Sequence, residues 1–249
     1  MSDVLRLQAF LRATAAPGRR VLDLPPFTAY LDRDDPMRFL NYAIPDDGAE
    51  PDDAAVERLR AGFREHQRLP RLEWVEEAAP AVASVLEACG MQLELRTPLM
   101  SCRPEQLVSA DADVPALTVA PIADGDLRET YNLQRVAFGE APLPDGDEPR
   151  DPRRRGGGAV LARSNGEAVA AASWTAVRDE TSEIVGVATA AAWRRRGLAG
   201  AVTAAAAREA FAAGASLCVL SPGDDTAQRV YARAGFGRVA TILHWSDPE

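Results

Sequence analysis

The octapeptide Trp193-Arg194-Arg195-Arg196-Gly197-Leu198-Ala199-Gly200 joins a β-type run, Glu183 to Thr189, to a helix-type run, Gly197 to Ala213. A strand that turns through glycine into a helix presents unpaired backbone N–H groups at the positive end of the helix dipole. Most helices begin with Ser, Asp or Glu, but this one begins with arginines and glycines and no acid. The octapeptide therefore predicts an anion site suited to a diphosphate. A solvated arginine turn before an alanine-rich helix is the alternative that the pattern alone leaves open.

A second signature follows the first. Ser182 to Gly200 reads S-E-I-V-G-V-A-T-A-A-A-W-R-R-R-G-L-A-G, and Tyr231 to Phe236 reads Y-A-R-A-G-F. In this order, with a helix and a strand between them, they resemble the GNAT N-acetyltransferase superfamily. The resemblance extends from about Pro115 to the C terminus. It implies an α+β (mixed α/β) GNAT fold, in which a mixed, mostly antiparallel sheet is flanked by helices.

The resemblance also implies acetyl-CoA as cosubstrate and assigns the residues that serve it. The Ile184–Thr189 strand would pair with pantetheine, an N–H near Val187 would serve the thioester carbonyl, and Gly186 would permit a bulge or close approach. Tyr231 would be the general acid, because a phenol with a pKa of ~10 stays protonated at neutral pH. The implied cofactor-binding residues are Val187, Ala188, Thr189, Arg194, Arg195, Arg196, Gly197, Leu198, Ala199, Gly200, Asp225 and Thr226. No metal is expected.

Several of these roles keep an alternative. Tyr231 is either the acid or a packed ring that bonds a carbonyl. Glu183 is either a base that acts through water or a solvated charge at a strand end. The family often has an Asn before its Tyr, and here only Asp225 or Thr226 is available to replace it. The family's loop proline is also missing from Ala190-Ala191-Ala192.

An internal repeat relates the two halves of the chain. A shift of 145 positions lays Gly90 on Gly235, and the order strand-helix-strand-helix-strand from Phe39 to Ser101 on the same order from about Ile184 to Ser246. This favours a tandem of two GNAT-like lobes over a coincidence of common elements. We expect residues 1–110 to form a degenerate lobe without a CoA site and residues 115–249 to form the acetyl-CoA-binding domain.

The same shift predicts which copy lacks the site. The counterpart of Arg194–Gly200 is the acidic segment Ala49–Ala55, which has neither Arg nor Gly. Asp52 and Asp53 make an ordinary helix start there, and they would repel a diphosphate. The counterpart of Tyr231 is Leu86, which has no proton to donate.

Turn signals and periodicity predict the remaining organisation. Asn165-Gly166 indicates a tight hairpin turn. We expect a strand over Arg38–Ile44, a linker over Pro104–Pro115, and a long loop with a possible helical turn over Gly139–Gly158. His66 and His244 show no partner in the sequence.

Composition limits the classes of function. The formal net charge is −9, and all 28 basic residues are Arg. An acidic balance argues against nucleic-acid binding and is compatible with amine substrates. No run approaches the ~20 apolar residues that span a membrane, and no signal peptide is evident. Three cysteines without metal spacing fit buried thiols in a reducing compartment, so a cytoplasmic location is expected.

The sequence thus predicts an N-acetyltransferase that moves acetyl from acetyl-CoA to a primary amine by direct attack. The rivals are a non-catalytic acyl-CoA-binding or interaction module and a pseudo-enzyme without a CoA site. The acceptor, a small-molecule or peptide amine, is not identified by the sequence. The acyl length and the oligomeric state also stay open, a homodimer included.

Overall fold

The computed structural model describes residues 2–109 and 111–248. The described residues form six α-helices and eleven strands, which divide into two compact units. Unit 1 runs up to Leu99 and includes the end of the chain from Val239, and unit 2 is Met100–Arg238. None of the helices in the described ranges has the length and apolarity needed to cross a bilayer.

The elements alternate along the chain. In order they are α1 (Asp3–Ala15), β1 (Arg20–Leu24), β2 (Phe27–Leu31), β3 (Tyr42–Pro45), α2 (Asp53–Glu65), β4 (Arg71–Val75), α3 (Val82–Ala88), β5 (Gln92–Cys102), β6 (Leu117–Pro121), α4 (Leu127–Ala137), β7 (Gly158–Ser164), β8 (Glu167–Trp174), β9 (Thr181–Thr189), α5 (Leu198–Ala212), β10 (Leu217–Leu220), α6 (Asp225–Arg233) and β11 (Gly237–Ser246).

Unit 1 is built on the strand order β1-β2-β3-β4-β11. The pairs are antiparallel except β3 with β4, which run parallel. Its core holds large buried side chains that include Phe63 and Trp74, both 0% exposed. Burying a side chain of this size stabilises a fold by about 1.5–3 kcal/mol, so this cluster holds the unit together.

Unit 2 has the strand order β6-β7-β8-β9-β10, with the last residues of β5 beyond β10. Here β9 and β10 are the parallel pair, and the other pairs are antiparallel. Ala159 and Leu161 of β7 face the cluster of α4, whereas Val160 and Ala162 face the cluster of α5. The alternation of the strand thus puts the two helices on opposite faces of the sheet.

The hairpin prediction is confirmed. Ser164 pairs with Glu167 across Asn165 and Gly166, whose φ angles are 49° and 87°. Two residues with positive φ are what a type I′ turn requires, and Asn-Gly adopts that conformation readily.

The expected two-lobed arrangement is confirmed as well, and the repeat extends to element bounds. Adding 145 to the bounds of α2 gives 198–210, against Leu198–Ala212 for α5. The same shift gives 227–233 for α3, against Asp225–Arg233 for α6. The two short helices also end alike, because Met91 N–H donates to Leu86 O and Phe236 N–H donates to Tyr231 O.

Two predictions of local structure need correction or refinement. The strand expected over Arg38–Ile44 is a 3₁₀ turn, Arg38–Leu40, followed by β3. The expected linker Pro104–Pro115 is no loose spacer, since it contains a 3₁₀ turn at Pro104–Gln106 and Val108 N–H donates to Ala234 O. Ala110, within that segment, lies outside the described residues.

The division of the chain also differs from the expected boundary. We expected residues 115–249 to form one domain, but most of β11 lies in unit 1, where Ile242 to Ser246 pair with β4. A strand that crosses between units leaves no composition signal, so the sequence alone did not reveal it. The long loop does contain the expected helical turn, at Pro152–Arg155.

Candidate active site

The parallel strands of unit 2 pair over only three residues. Thr181, Ser182 and Glu183 of β9 lie opposite residues 217–219 of β10. β10 ends one residue later, at Leu220, whereas β9 continues to Thr189. In the described part of the chain, the edge of β9 from Ile184 onward has no β10 partner. An unpaired strand edge offers backbone groups to an extended ligand.

A bulge interrupts β9 on its other side. Ala171 pairs with Ala188 and Ser173 with Val185, so the two residues Gly186 and Val187 oppose the single residue Ala172. Gly186 has φ +61°, a left-handed conformation that glycine adopts without steric cost. The expectation that Gly186 permits a bulge or close approach therefore agrees with the geometry.

The start of α5 is left without a cap from a side chain. Gly197 is the N-cap with φ +83°, and the first turn contains no acid. In residues 2–109 and 111–248, no protein acceptor takes a hydrogen bond from the N–H groups of residues 195–200. Free N–H donors and the positive end of a helix dipole at one place are the features that anion sites in proteins share.

The segment before β6 supports this loop from its carbonyl side. Asp113 N–H donates to Arg196 O at 3.0 Å. A Cβ added at Gly197 would lie 2.7 Å from Asp111 O. Gly197 is therefore needed both for its φ angle and for the close approach of the Asp111 backbone. Neither contact uses an N–H group of residues 195–200.

The three arginines of the loop are exposed. Arg194 Nε donates weakly to Thr189 O at 3.4 Å. The guanidinium of Arg196 stacks over the Trp193 ring, 4.9 Å from its centroid, and Trp193 Nε1 donates to Glu167 at 3.1 Å. Arg195 has φ +65°. Stacking thus holds the Arg196 guanidinium against the Trp193 ring.

Tyr231 lies on α6, half-buried against the apolar cluster of unit 2 that also receives Val187. Burial raises the pKa of its phenol above the usual 10.0, and the charge of Asp224 adds to the effect. The phenol is therefore protonated at neutral pH and able to donate.

The other predicted residues lie near the point where β9 and β10 cease to pair. Glu183 is half-buried at the last paired position of β9, and its N–H donates to Thr175 Oγ1 at 2.9 Å. Asp225 and Thr226 are exposed at the start of α6, where Asp224 makes the N-cap by accepting from Ala227 N–H at 2.7 Å. Both therefore lie beside the cap, and neither of them makes it.

The two histidines belong to unit 1. His66 is near Arg20, with 2.9 Å between Nδ1 and the guanidinium. His244 Nδ1 lies 2.8 Å from Arg71 and 3.2 Å from Glu73. Within the described ranges, no three His, Cys, Asp or Glu side chains come together as a metal site would need.

Sequence reasoning missed one residue at the bulge. Gln134 of α4 donates from Nε2 to Gly186 O at 2.8 Å and to Ser173 Oγ at 3.0 Å. Leu127, Thr130 and Gln134 share one helix face, so a glutamine on the face that packs on the sheet was the available signal.

The comparisons with known proteins bear on the family and the fold. Residues 127–236 match the model of the acetyltransferase (GNAT) family. A GCN5-related N-acetyltransferase from Kribbella flavida is 34% identical, with a TM-score of 0.84 over 100% of this chain and 97% of that one. The chain belongs to the GNAT family. A search among curated proteins gave no match.

More distant GNAT structures share the fold alone. A GCN5-related N-acetyltransferase from Sphaerobacter thermophilus is 17% identical, with a TM-score of 0.63 over 91% of this chain and 82% of that one. A tandem GNAT protein from the clavulanic acid biosynthesis pathway is 12% identical, with a TM-score of 0.61 over 90% and 79%. The two-lobed arrangement thus recurs within the family.

In the first GNAT copy of this chain, a side chain fills the space between the parallel strands beyond their last pair. The second copy leaves the corresponding edge of β9 unpaired among the described residues. In unit 1 the parallel strands meet at Ala43 and Leu72. Beyond this pair, the buried side chain of Gln8 from α1 bridges them, because its Nε2 donates to Pro45 O at 3.0 Å and its Oε1 accepts from Val75 N–H at 2.9 Å. Asp52 caps α2 by accepting from Ala55 N–H at 2.8 Å.

Proposed function

We propose that unit 2 is an N-acetyltransferase that takes acetyl-CoA as cosubstrate and transfers acetyl to a primary amine by direct attack. One observation carries this proposal: the N–H groups of residues 195–200 lack protein acceptors in the described chain, directly after the unpaired edge of β9. A row of free donors next to a free strand edge matches a ligand that joins a diphosphate to an amide-containing arm.

The chain supplies donors for each part of that ligand. The backbone of residues 195–200 would hold the diphosphate, and one of the exposed arginines Arg194 to Arg196 would add charge. Val187, Ala188 and Thr189 would pair with the pantetheine amides. Asp225 and Thr226 would contact the arm from the start of α6 in place of the family's Asn.

Bound acetyl-CoA would supply a thioester whose carbonyl carbon accepts the amine nitrogen and whose C–S bond then breaks. The Val187 N–H would stabilise the charge that develops on the carbonyl oxygen. Tyr231 would give its phenolic proton to the departing sulfur. Glu183, acting through water, would take the proton that the amine nitrogen loses, so that one amide and one free thiol result.

The acceptor would be a small-molecule or peptide amine. The net charge of −9 is compatible with a cationic acceptor in its free form. A cytoplasmic location suits the thiols, since Cys102 and Cys218 are buried and burial raises their pKa values to about 11 and about 12. Such thiols stay protonated and unreactive in a reducing compartment.

Thiol release from acetyl-CoA with a panel of primary amines tests the proposal. Amino acids, polyamines, aminoglycosides and short peptides cover the acceptor classes. We expect at least one amine to be turned over. Replacing Tyr231 with Phe should lower kcat roughly 100-fold and change the KM for acetyl-CoA little, because a general acid acts on the transition state.

Tyr131→Phe is the matched control, since Tyr131 is also half-buried but lies on α4 beside Arg135. It should keep the wild-type rate. If Tyr231→Phe were as active as Tyr131→Phe, the acid role would be wrong.

A second function, acyl-CoA binding without transfer, is favoured by the replacement of the family's Asn with exposed Asp225 and Thr226. This binding module would grip the same ligand through the same loop. Tight binding of acetyl-CoA without turnover of any amine would favour it over the enzyme.

A further inference from the structure

The bulge in β9 contains one peptide unit, Gly186–Val187, whose carbonyl oxygen accepts from a helix side chain. In a bulge the extra residue falls outside the regular ladder, so its backbone groups need other partners. Here the two bulged residues are Gly186 and Val187, opposite Ala172. The carbonyl of Gly186 and the N–H of Val187 belong to the same peptide unit.

Gln134 holds the carbonyl end of this unit. Its Nε2 lies 2.8 Å from Gly186 O, and the second proton of the same amide goes to Ser173 Oγ at 3.0 Å. Two acceptors on neighbouring strands thus fix the amide nitrogen. A Cβ at Gly186 would lie 2.5 Å from this nitrogen, so glycine is required for the approach as well as for φ.

A trans peptide is planar, and its C=O and N–H point in opposite directions. A hydrogen bond that fixes the direction of Gly186 O therefore fixes the direction of the Val187 N–H. Because Gln134 reaches the oxygen from α4, the N–H is turned away from α4.

We propose that Gln134 is a positioning residue, which holds the Gly186–Val187 peptide so that the Val187 N–H is presented to the thioester oxygen. The identity of the oxygen that the Val187 N–H meets rests on the proposed function. The orientation of the peptide is independent of that function. Ser173 assists by accepting the second proton of the amide.

The first test reads the peptide itself. Amide hydrogen exchange at Val187, followed by NMR in the full chain without ligand, should change in Gln134→Leu. Asn132→Leu is the matched control, because Asn132 is also on α4 and accepts from Leu143 N–H at 2.8 Å, away from the bulge. An unchanged Val187 amide in Gln134→Leu would overturn the positioning role, whatever the activity of the protein.

The second test reads catalysis. Gln134→Leu should lower kcat about 10²-fold or more, as loss of a placed oxyanion donor does, with a change of less than about threefold in the KM for acetyl-CoA. An equal loss in Asn132→Leu would mean that general destabilisation of α4 is responsible, and would contradict the proposal.

Gln134→Glu adds a signature that simple packing would not give. A protonated carboxyl can donate to Gly186 O, whereas a carboxylate repels it. The ratio of its rate to that of the wild type should therefore fall as pH rises through the carboxyl titration. A ratio independent of pH would contradict the role.

The outcomes separate this inference from the proposed function. If no amine is turned over but the Val187 amide responds to Gln134→Leu, the transferase proposal fails and the positioning of the peptide stands. If amines are turned over and neither Val187 nor kcat responds, the transferase stands and the positioning role fails.

Discussion

Each unit contains one pair of parallel strands that a helix connects. The two units differ in what the first strand of the pair does between its last paired residue and that helix. In unit 1 the first residue of α2, Asp53, follows the paired residue Ala43 by ten positions. In unit 2 the first residue of α5, Leu198, follows the last paired residue Glu183 by fifteen. The longer connection supplies the free arm of β9 that unit 1 lacks.

The gap itself is also treated differently. Unit 1 fills it with the amide of Gln8, which satisfies Val75 N–H and Pro45 O. The helix start is neutralised there by the Asp52 cap, whereas Gly197 leaves the start of α5 positive. The length of unpaired strand, the filling of the gap and the helix cap therefore differ together between the two units.

The largest difference between the two units is expected at the equivalent glycines that follow α3 and α6. Gly90 and Gly235 have φ angles of +81° and +97°, but a Cβ at Gly90 meets nothing within 4 Å, while one at Gly235 would lie 2.0 Å from Gln106 O. Gly90→Ala should cost about 1–2 kcal/mol for its left-handed conformation. Gly235→Ala should cost a further 1–3 kcal/mol of steric strain, measured by urea unfolding.

Tryptophan fluorescence can follow both transitions, because each unit contains tryptophans. Equal costs for the two glycine variants would contradict the close approach of the Gln106 carbonyl to Gly235.

The next effect concerns the filled gap of unit 1. Gln8→Leu removes the acceptor of Val75 N–H, while Pro45 O keeps the bond from Arg12 at 2.7 Å. One buried donor left unsatisfied should lower the free energy of unfolding by about 1–3 kcal/mol. Calorimetry should show unchanged CoA affinity, since the proposed CoA site lies in unit 2. A second CoA equivalent bound by Gln8→Leu would break the comparison.

The smallest effect is a pH dependence at Tyr231, whose counterpart Leu86 does not titrate. Because its pKa lies above 10.0 in the folded protein, the phenol can donate at every pH below 10. The rate with an amine that is neutral from pH 7 to 10 should therefore show no alkaline fall in that range. A fall centred below pH 10 that Tyr231→Phe abolishes would mean that the pKa is not raised.

The linked effect on stability has a definite sign. A raised pKa means that the folded state favours the neutral phenol. The contribution of Tyr231 to stability is fully present below its usual pKa of 10.0 and is lost as pH rises through the raised value. The stability difference between the wild type and Tyr231→Phe should accordingly be constant below pH 10 and shrink above it.

Local signals in the sequence predicted much of unit 2. The glycines at 186 and 197 mark positive φ angles, and the run of arginines without acids marks an uncapped helix, because these properties depend on a few adjacent residues. The alignment of the two copies, by contrast, predicted the positions of the equivalent helices correctly. It did not reveal that the unpaired stretch between the parallel strands and the helix is shorter in unit 1. Strand pairing depends on partners distant in the chain, which a fixed shift does not record.

The residues that sequence reasoning missed share one property. Gln8 and Gln134 lie on helix faces that pack on the sheet, and each satisfies backbone groups far away in the sequence. The backbone groups that they bind are available only because the strands diverge in unit 1 and bulge in unit 2. A glutamine on a sheet-facing helix face indicates such a role, but the sequence does not identify the backbone group that it meets.

The central claim is that the start of α5 binds the diphosphate of CoA, and Ala199 offers the cleanest test of it. A side chain at Gly197 would collide with Asp111 O whatever its charge. Ala199 is helical and half-buried, so Ala199→Glu and Ala199→Gln differ in charge alone. A carboxylate in the first turn should stabilise α5 by about 0.3–1 kcal/mol relative to Gln.

Calorimetric titration of the two variants with CoA is the direct measurement. We expect Ala199→Glu to melt at the same or a higher temperature than Ala199→Gln and yet to bind CoA roughly 100-fold more weakly, because two like charges about 4 Å apart near a surface repel strongly. Equal CoA affinities in the two variants would contradict the account, because the diphosphate would then lie elsewhere.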